Sequence, residues 1–206
     1  MLGSSGVGKT TILRLIAELD TAAIFDGHIT TSDNTPLDGR IAYMAQTDLL
    51  LPWASVLDNV CLGTHLRGQT TDKDKAQAII ARVGLTAHQQ KKPGTLSGGK
   101  RQRAALARTL MENRPIVLLD EPFSALDSRT RSEMQELAAE MLTGRTILLV
   151  THDPGEAARL AHSIYIMSSH GLETAASLPP PLPRSFADKD VLALQSTLLE
   201  QLRSAG

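Results

Sequence analysis

The sequence predicts an α/β fold in which a mostly parallel sheet is flanked by helices. Short runs that are apolar at every residue are typical of strands covered on both faces, and each run here ends in a polar residue. Helical patterns lie between these runs, and such alternation favours a parallel sheet. The predicted strands cover residues 41–45, 116–119, 146–150 and 164–167. The predicted helices cover residues 10–19, 72–83, 98–111, 129–142 and 154–161.

Two further segments do not follow this alternation. Residues 49–96 contain no clear buried strand, which predicts a mainly helical insertion. Residues 177–184 are rich in proline and are predicted to form an extended connector. Helical spacing of apolar residues then predicts a terminal helix packed on the domain, or alternatively a regulatory or partner-binding helix. These residues are Val191, Leu194, Leu198, Leu199 and Leu202.

Composition narrows the class of protein. The chain has 206 residues, of which 42% are apolar and 21% charged, as expected for one compact domain. A net charge of −1 gives no reason to expect a nucleic-acid partner. The single cysteine, Cys61, cannot form an internal disulfide and is expected to be a small buried side chain in a reducing compartment. Because no apolar run approaches the ~18–20 residues that cross a bilayer, membrane association is expected to require a protein partner.

A phosphate-binding loop is predicted at the start of the chain. The pattern G-x-x-x-x-G-K-[ST] is met by Gly3, Ser4, Ser5, Gly6, Val7, Gly8, Lys9 and Thr10, and Thr11 follows as a further nucleotide contact. Glycines let successive backbone N–H groups point at phosphate oxygens, and the following helix adds its positive end. Lys9 would reach the β- and γ-phosphates, and the Thr10 hydroxyl would bind Mg²⁺. The alternative is a chance glycine-rich turn.

Two adjacent carboxylates close the apolar run at residues 116–119. Successive strand side chains point to opposite faces, so Asp120 and Glu121 need not share a role. Asp120 is predicted to hold Mg²⁺, and Glu121 to orient or deprotonate the attacking water. The alternative is a solvated turn.

A second predicted helix also begins with small residues, Ser97, Gly98 and Gly99, which would form another anion-binding end. The segment 96–103 resembles the signature motif of ATP-binding cassette (ABC) ATPases. In that family the motif contacts the γ-phosphate of ATP bound to the opposite subunit. The resemblance therefore implies that two copies, or this chain and a paralogue, enclose ATP and Mg²⁺ between them.

The resemblance extends over nearly the whole chain. It implies that Gln46 is the Q-loop glutamine, which contacts Mg²⁺ or water, and that residues 124–127 form the D-loop with Asp127 near the nucleotide. It also implies that His152 is the switch histidine, acting in catalysis with Glu121. Lys100 departs from the family, where glutamine is commonest, and we do not expect this change to inactivate the protein. Nearby arginines could suggest a nucleic-acid patch, but a solvated helix face with local anion contacts is favoured; they are Arg101, Arg103 and Arg108.

The family resemblance also implies a domain organisation. Residues 1–206 would form one ABC ATPase domain, with a P-loop core at 1–48 and 105–176, a helical subdomain at 49–104, and the connector and terminal helix at 177–206. In this family, strands precede the phosphate loop. Only Met1 and Leu2 precede Gly3 here, so we expect those leading strands to be missing, through truncation or a misassigned start codon, and ATP binding to be weak.

Residues 44–60 resemble the Q-loop region of importers for nitrate, taurine and aliphatic sulfonates, and pyrimidine precursors of thiamine are another plausible cargo. This resemblance implies an ATPase peripheral to the cytoplasmic face of the membrane, with an integral permease and, indirectly, a solute-binding protein as partners. Residues 49–53 would form part of the groove for the permease, or alternatively internal core. Two other functions stay open: a soluble ABC ATPase of DNA repair or translation, and an inactive truncated remnant.

Overall fold

Strands and helices alternate along most of the chain, and the α/β prediction is confirmed. The structure is a computed structural model, and it describes residues 1–204. The strands are β1 (Leu2–Gly3), β2 (Ile41–Met44), β3 (Ile116–Asp120), β4 (Thr146–Val150), β5 (Ile164–Ser168) and β6 (Gly171–Ala175). The helices are α1 (Lys9–Ile16), α2 (Val56–Val60), α3 (Leu62–Leu66), α4 (Lys73–Arg82), α5 (Gly98–Met111), α6 (Ser128–Met141), α7 (Pro154–Leu160) and α8 (Lys189–Ser204). Two short 3₁₀ helices cover Thr86–His88 and Pro93–Thr95.

The chain divides into two compact units, and the first contains residues 1–41 and the chain from Leu148 onward. In this unit β1 pairs in parallel with β5, with Leu2 opposite Ile166, and β5 continues into an antiparallel hairpin with β6. On its other side Leu2 forms a parallel bridge with Thr151, directly after β4. Leu2, which leads into the phosphate loop, is therefore anchored between β5 on one side and Thr151 on the other.

The core of the first unit joins the sheet to α7 and α8. Leu2 and Leu198 are completely buried in it, together with Ile164 and Ala158. Burying each large aliphatic side chain stabilises the fold by about 1.5–3 kcal/mol. The packed terminal helix is thus confirmed for Val191, Leu194 and Leu198, and Leu202 packs against the same core, whereas Leu199 is exposed.

Most predicted boundaries agree with the structure to within one residue, and three differences are larger. No strand was expected before the phosphate loop, but two residues form β1 because β5 satisfies their backbone groups. Helix α1 ends at Ile16, three residues early, since Glu18 adopts a left-handed conformation with φ of 56°. Strand β6 was not predicted, because it is an exposed hairpin strand in which only Ala175 is buried.

Arg184 fastens the proline-rich segment to α7 in the same unit. Its guanidinium donates to the carbonyl oxygens of Ala158 at 2.7 Å and Ala161 at 2.9 Å, and also to those of Leu178 and Pro179. Arg184 is only 6% exposed, and burial lowers its pKa. Arg159, which is also buried, donates from Nε to the Arg184 carbonyl oxygen at 2.9 Å. Two buried arginines therefore hold the end of the predicted connector, which its composition did not indicate.

The second unit comprises residues 42–147, and it contains β3 and helices α2 to α6. Strands β2, β3 and β4 form a three-stranded sheet in that order. The helical insertion predicted for residues 49–96 is confirmed, with α2, α3 and α4 inside it. Cys61 is buried there as predicted, and burial raises the pKa of its thiol. The subdomain boundaries given above stay a prediction.

The segment before α2 combines buried and exposed apolar residues. Asn59 is completely buried, and its side chain binds the backbone of Leu51 through both its oxygen, at 2.7 Å, and its nitrogen, at 3.2 Å. Leu50 is buried, whereas Leu49 and Trp53 are 63% and 70% exposed. The core interpretation is therefore confirmed for Leu50, whereas for Leu49 and Trp53 a permease groove stays a prediction.

Candidate active site

The phosphate loop joins β1 to α1 within the first unit. Gly6 and Gly8 have φ angles of 83° and 105°, in the left-handed region that favours glycine, and Gly8 directly precedes α1. Gly3 is required for another reason, because a Cβ there would lie 2.7 Å from the Met167 carbonyl oxygen of β5. The glycines of the predicted pattern thus allow both the turn itself and its attachment to the sheet.

Lys9 is turned into this loop. It is 5% exposed, and its Nζ donates to the carbonyl oxygens of Gly3 and Ser4, both at 2.8 Å. Backbone carbonyls partly compensate the buried charge. The hydroxyl-bearing residues Ser4, Ser5 and Thr10 are exposed. The loop therefore offers a held cation and accessible hydroxyl and N–H groups, which suits a polyphosphate.

His152 lies at the same edge of the first unit's sheet as the loop. It follows Thr151, which bridges to Leu2, and Thr151 N–H donates to the Met1 carbonyl oxygen at 3.1 Å. The Thr151 hydroxyl donates to Glu156 at 2.6 Å and accepts from Asp153 N–H at 3.0 Å. His152 itself is exposed. A firmly bonded turn thus presents an accessible imidazole beside the strand that feeds the phosphate loop.

The predicted carboxylates lie at the end of β3 in the second unit. Asp120 is buried as the last residue of the strand, and Glu121 is half-buried in the turn that follows. Glu121 has a φ of 48°, which is uncommon for a residue with a side chain. Gln46, just after β2, donates from its Nε2 to Glu121 Oε2 at 3.3 Å. The structure therefore brings two predicted site residues together, although 75 positions separate them in the chain.

Gln102 was not predicted as part of this site. It lies in α5, is 5% exposed, and donates from Nε2 to the Glu121 carbonyl oxygen at 2.9 Å. Its Oε1 accepts from Ala125 N–H at 2.7 Å. The available signal was a neutral glutamine among three arginines on a predicted helix, next to small apolar residues that indicate a buried face.

The signature-like turn begins α5 with accessible groups. Ser97 and Gly98 are exposed, and within the described residues the Ser97 side chain makes no capping hydrogen bond to the first turn. A Cβ on Gly99 would lie 3.3 Å from the Ala125 carbonyl oxygen, a tight contact that a side chain could relieve only by a small shift of this turn. Unused N–H groups at a helix start attract anions. This end of α5 is therefore suited to bind a phosphate presented from outside.

Asp127 caps helix α6 rather than pointing freely into solution. Its carboxylate accepts from Thr130 N–H at 3.1 Å, and this hydrogen bond holds the pKa of Asp127 below its usual range. The cap fixes the end of the turn that runs from Glu121 to Asp127. Its predicted contact with nucleotide stays a prediction.

The arginines of α5 bind their own unit. Arg101 pairs with Asp48 at 3.0 Å, which confirms the predicted local anion contact. Arg103 donates to the Val83 carbonyl oxygen, and Arg108 to those of Leu49 and Asp48, so these two bind backbone rather than carboxylates. Each of these guanidinium groups therefore already serves the fold of this unit.

The residues predicted to bind Mg²⁺ fit that ion by the chemistry of their donors. Thr10 supplies a hydroxyl, Gln46 an amide oxygen and Asp120 a carboxylate, all hard oxygen ligands. Within residues 1–204 no group of three or more His, Cys, Asp or Glu side chains could hold a metal ion. Mg²⁺ is usually bound by one or two carboxylates together with substrate phosphates, and this donor set supplies one carboxylate, Asp120.

In the part of the chain that the structure describes, no helix is both long enough and apolar enough to span a bilayer.

Comparison with known proteins identifies the family. The ABC transporter family profile matches residues 1–124. A protein of Haemophilus influenzae named an uncharacterized ABC transporter ATP-binding protein is 43% identical over 98% of this chain and 85% of its own length. The aliphatic sulfonates import ATP-binding protein SsuB 1 of Rhodococcus jostii is 40% identical over 99% of this chain and 81% of its own.

A solved structure agrees with this assignment. The dimeric ATP-binding cassette MJ0796, in a post-hydrolysis state bound to ADP and Pi, superposes with a TM-score of 0.71 at 29% identity, covering 86% of this chain and 84% of that one. Together the profile, the relatives and the fold leave one conclusion: the chain belongs to the ABC transporter family and is an ATP-binding subunit with ATPase activity.

Proposed function

We propose that this ATPase powers the import of a small solute of the sulfonate type through an integral membrane permease, and that Glu121 activates the water that attacks ATP. The observation that supports the catalytic part is the Glu121 turn. Glu121 directly follows a buried strand. Gln46 binds its carboxylate, and Gln102 binds its backbone carbonyl. A positioned carboxylate of this kind is suited to general-base catalysis.

The phosphate loop would bind the nucleotide. Lys9 would exchange its two carbonyl partners for the β- and γ-phosphates, while loop N–H groups and the start of α1 bind the remaining oxygens. Thr10, Gln46 and Asp120 would hold Mg²⁺, which neutralises charge on the phosphates when bound. His152, exposed on its bonded turn, would contact the γ-phosphate or the attacking water.

The signature turn would serve a second copy of the chain or a paralogue. Ser97, Gly98 and Gly99 are available at the start of α5, and they would bind the γ-phosphate of ATP held by the partner subunit. ATP would then close the dimer, and hydrolysis with phosphate release would reopen it. The dimeric state of the cassette MJ0796 supports this arrangement.

The import role has two supports. The relative from Rhodococcus jostii is named for import of aliphatic sulfonates and matches this chain over nearly its whole length. Leu49 and Trp53 expose large apolar side chains beside α2, as a surface that docks a permease would require. The permease would in turn receive its cargo from a solute-binding protein.

The catalytic proposal is tested with Glu121→Gln. Removing the general base should lower turnover by about 10²–10⁴-fold, while ATP stays bound and a closed dimer accumulates. The measurements are phosphate release and size-exclusion chromatography in the presence of ATP. The matched control is Glu133→Gln, an exposed residue paired with Arg129 on α6, which should retain turnover. Near-normal hydrolysis by Glu121→Gln would remove Glu121 from the catalytic role.

The import proposal is tested in cells. Deletion of the gene should abolish growth on an aliphatic sulfonate as sole sulfur source, and the tagged protein should co-purify with an integral membrane protein. Unchanged growth on an unsubstituted alkanesulfonate, with growth lost on taurine as sulfur source or on nitrate as nitrogen source, would assign a different cargo. Recovery of nucleic acid or ribosomes instead of a membrane protein would overturn the import role.

A further inference from the structure

We infer, on the basis of the function proposed above, that Gln102 is a positioning residue that links the signature turn to the catalytic Glu121. When the start of α5 binds the nucleotide of the partner subunit, Gln102 would transmit the effect to ATP hydrolysis at Glu121 of its own subunit. The consequence is cooperative turnover by the dimer.

The Gln102 amide forms hydrogen bonds to two residues of the turn that follows β3. Its nitrogen donates to the Glu121 carbonyl oxygen at 2.9 Å, and its oxygen accepts from Ala125 N–H at 2.7 Å. The nitrogen also lies 3.4 Å from the Ser124 hydroxyl, which itself donates to the Glu121 carbonyl at 3.1 Å. Because Gln102 is 5% exposed, water cannot readily replace these bonds. One side chain thus cross-links α5 to both ends of the short turn after β3.

This cross-link binds Glu121 in an uncommon backbone conformation. The Glu121 backbone has a φ of 48°, which a residue with a side chain seldom adopts and which persists only when its surroundings hold it. Gln46 binds the carboxylate, whereas Gln102 binds the carbonyl of the same residue. An amide side chain therefore binds each end of Glu121, Gln46 at the carboxylate and Gln102 at the backbone carbonyl.

Gln102 lies on α5 shortly after the signature turn, Ser97 to Gly99. Gly99 precedes it by three residues, so the two positions share a face of α5. Gly99 packs so closely on the 124–126 turn that a Cβ would lie 3.3 Å from the Ala125 carbonyl oxygen and 3.4 Å from Leu126. The first turn of α5 therefore touches Ala125 directly and binds it through Gln102. A displacement of this helix start on phosphate binding would be transmitted to the backbone of Glu121.

A structural role alone makes a different prediction. A buried glutamine that only stabilised the unit would change the amount of folded protein, not the relation between kcat, KM and cooperativity. A positioning residue would lower kcat, leave the KM for ATP nearly unchanged, and bring the Hill coefficient of ATP hydrolysis toward 1.

The experiment uses Gln102→Met, which keeps the length of the side chain and removes both hydrogen bonds. With the full chain as a dimer, we expect kcat to fall about 10²-fold, the loss typical of a small misplacement in an active site. We expect KM to change by less than about threefold and the Hill coefficient to approach 1. The matched control is Thr109→Val in the same helix, which also removes a buried hydrogen bond, that to Ala105, and should preserve kcat and cooperativity.

Should Gln102→Met fail to fold, Gln102→Glu takes its place, since its carboxylate can still accept from Ala125 N–H but cannot donate to Glu121. It should show the same loss of kcat and of cooperativity. Unchanged kcat and Hill coefficient in either folded variant, or an equal loss in Thr109→Val, would overturn the inference. If the proposed catalytic role of Glu121 were wrong instead, Glu121→Gln would retain turnover, whatever the effect of the Gln102 variants.

Discussion

Two helix starts in this chain look alike in sequence and are held in different ways. The phosphate loop enters α1 through Gly8-Lys9, and the signature turn enters α5 through Gly98-Gly99-Lys100. Lys9 donates to two carbonyl oxygens of its own loop, whereas Lys100 lies 2.9 Å from Nε2 of His88, the last residue of the 3₁₀ helix Thr86–His88. The two carbonyl oxygens do not titrate, whereas the imidazole beside Lys100 does.

The glycines differ as well. Gly8 has a φ of 105°, so its backbone conformation itself disfavours a side chain, whereas at Gly99 a Cβ would make a tight contact, 3.3 Å from the Ala125 carbonyl oxygen. The comparison shows that one pattern, small residues followed by lysine, can satisfy either a conformational or a packing requirement. Substitutions can separate the two.

The largest effect is expected from Lys9→Met. The side chain would lose its charge while keeping most of its length, so the phosphates would lose their cation. Removing one such stabilising donor typically costs about 10²–10³-fold in turnover. ATP binding and phosphate release measure the effect, with Lys73→Met on the exposed start of α4 as the control. Nucleotide affinity and turnover equal to those of the unmodified protein would show that Lys9 does not bind phosphate.

A smaller effect, of opposite sign at the two helix starts, is expected from alanine at Gly8 and Gly98. An L-residue in the left-handed region costs about 1–2 kcal/mol, so Gly8→Ala should lower the free energy of unfolding by that amount. Gly98 begins α5, and a Cβ there would make only an ordinary contact, 3.9 Å from the Arg101 guanidinium, so Gly98→Ala should leave this free energy unchanged or raise it by up to about 1 kcal/mol. Urea unfolding measures both. Equal destabilisation by the two variants would show that the left-handed conformation of Gly8 does not distinguish the two helix starts.

The sequence predicted the regular part of the fold well and its polar cross-links poorly. Strand β4 and helix α5 have the predicted bounds, because buried apolar runs and helical periodicity are local signals. Gln102 and Arg184 were missed, since a buried polar side chain acquires its role from partners that are distant in the chain. Gln46 and Glu121 both follow buried strands of a predicted parallel sheet, which indicates that they share one edge of it, but the hydrogen bond between their side chains was not predictable.

The smallest effect concerns the pairing of His88 with Lys100. Burial, and then the positive charges of Lys100, Lys91 and Arg103, lower the pKa of His88 below its ordinary value. If the ammonium donates to Nε2, the ring proton must lie on Nδ1, which is buried and has no hydrogen-bond partner among residues 1–204. A second proton, on Nε2, would replace this hydrogen bond by repulsion between two cations. His88 should therefore stay neutral in the folded protein where an unfolded histidine is already protonated.

The sign of the pH dependence follows from this lowered pKa. When the folded pKa lies below the unfolded one, near 6.5, the unfolded state binds more protons as the pH falls, so stability drops from that pH downward through the folded pKa. His88→Gln keeps an acceptor for Lys100 without a titrating group, and its urea midpoint should decline less between about pH 7 and pH 5. In Lys100→Met the pKa of His88, followed by NMR, should rise because one neighbouring cation is gone. Two results would contradict this difference between the helix starts: a pH dependence of stability in His88→Gln identical to that of the unmodified protein, and an unchanged pKa of His88 in Lys100→Met.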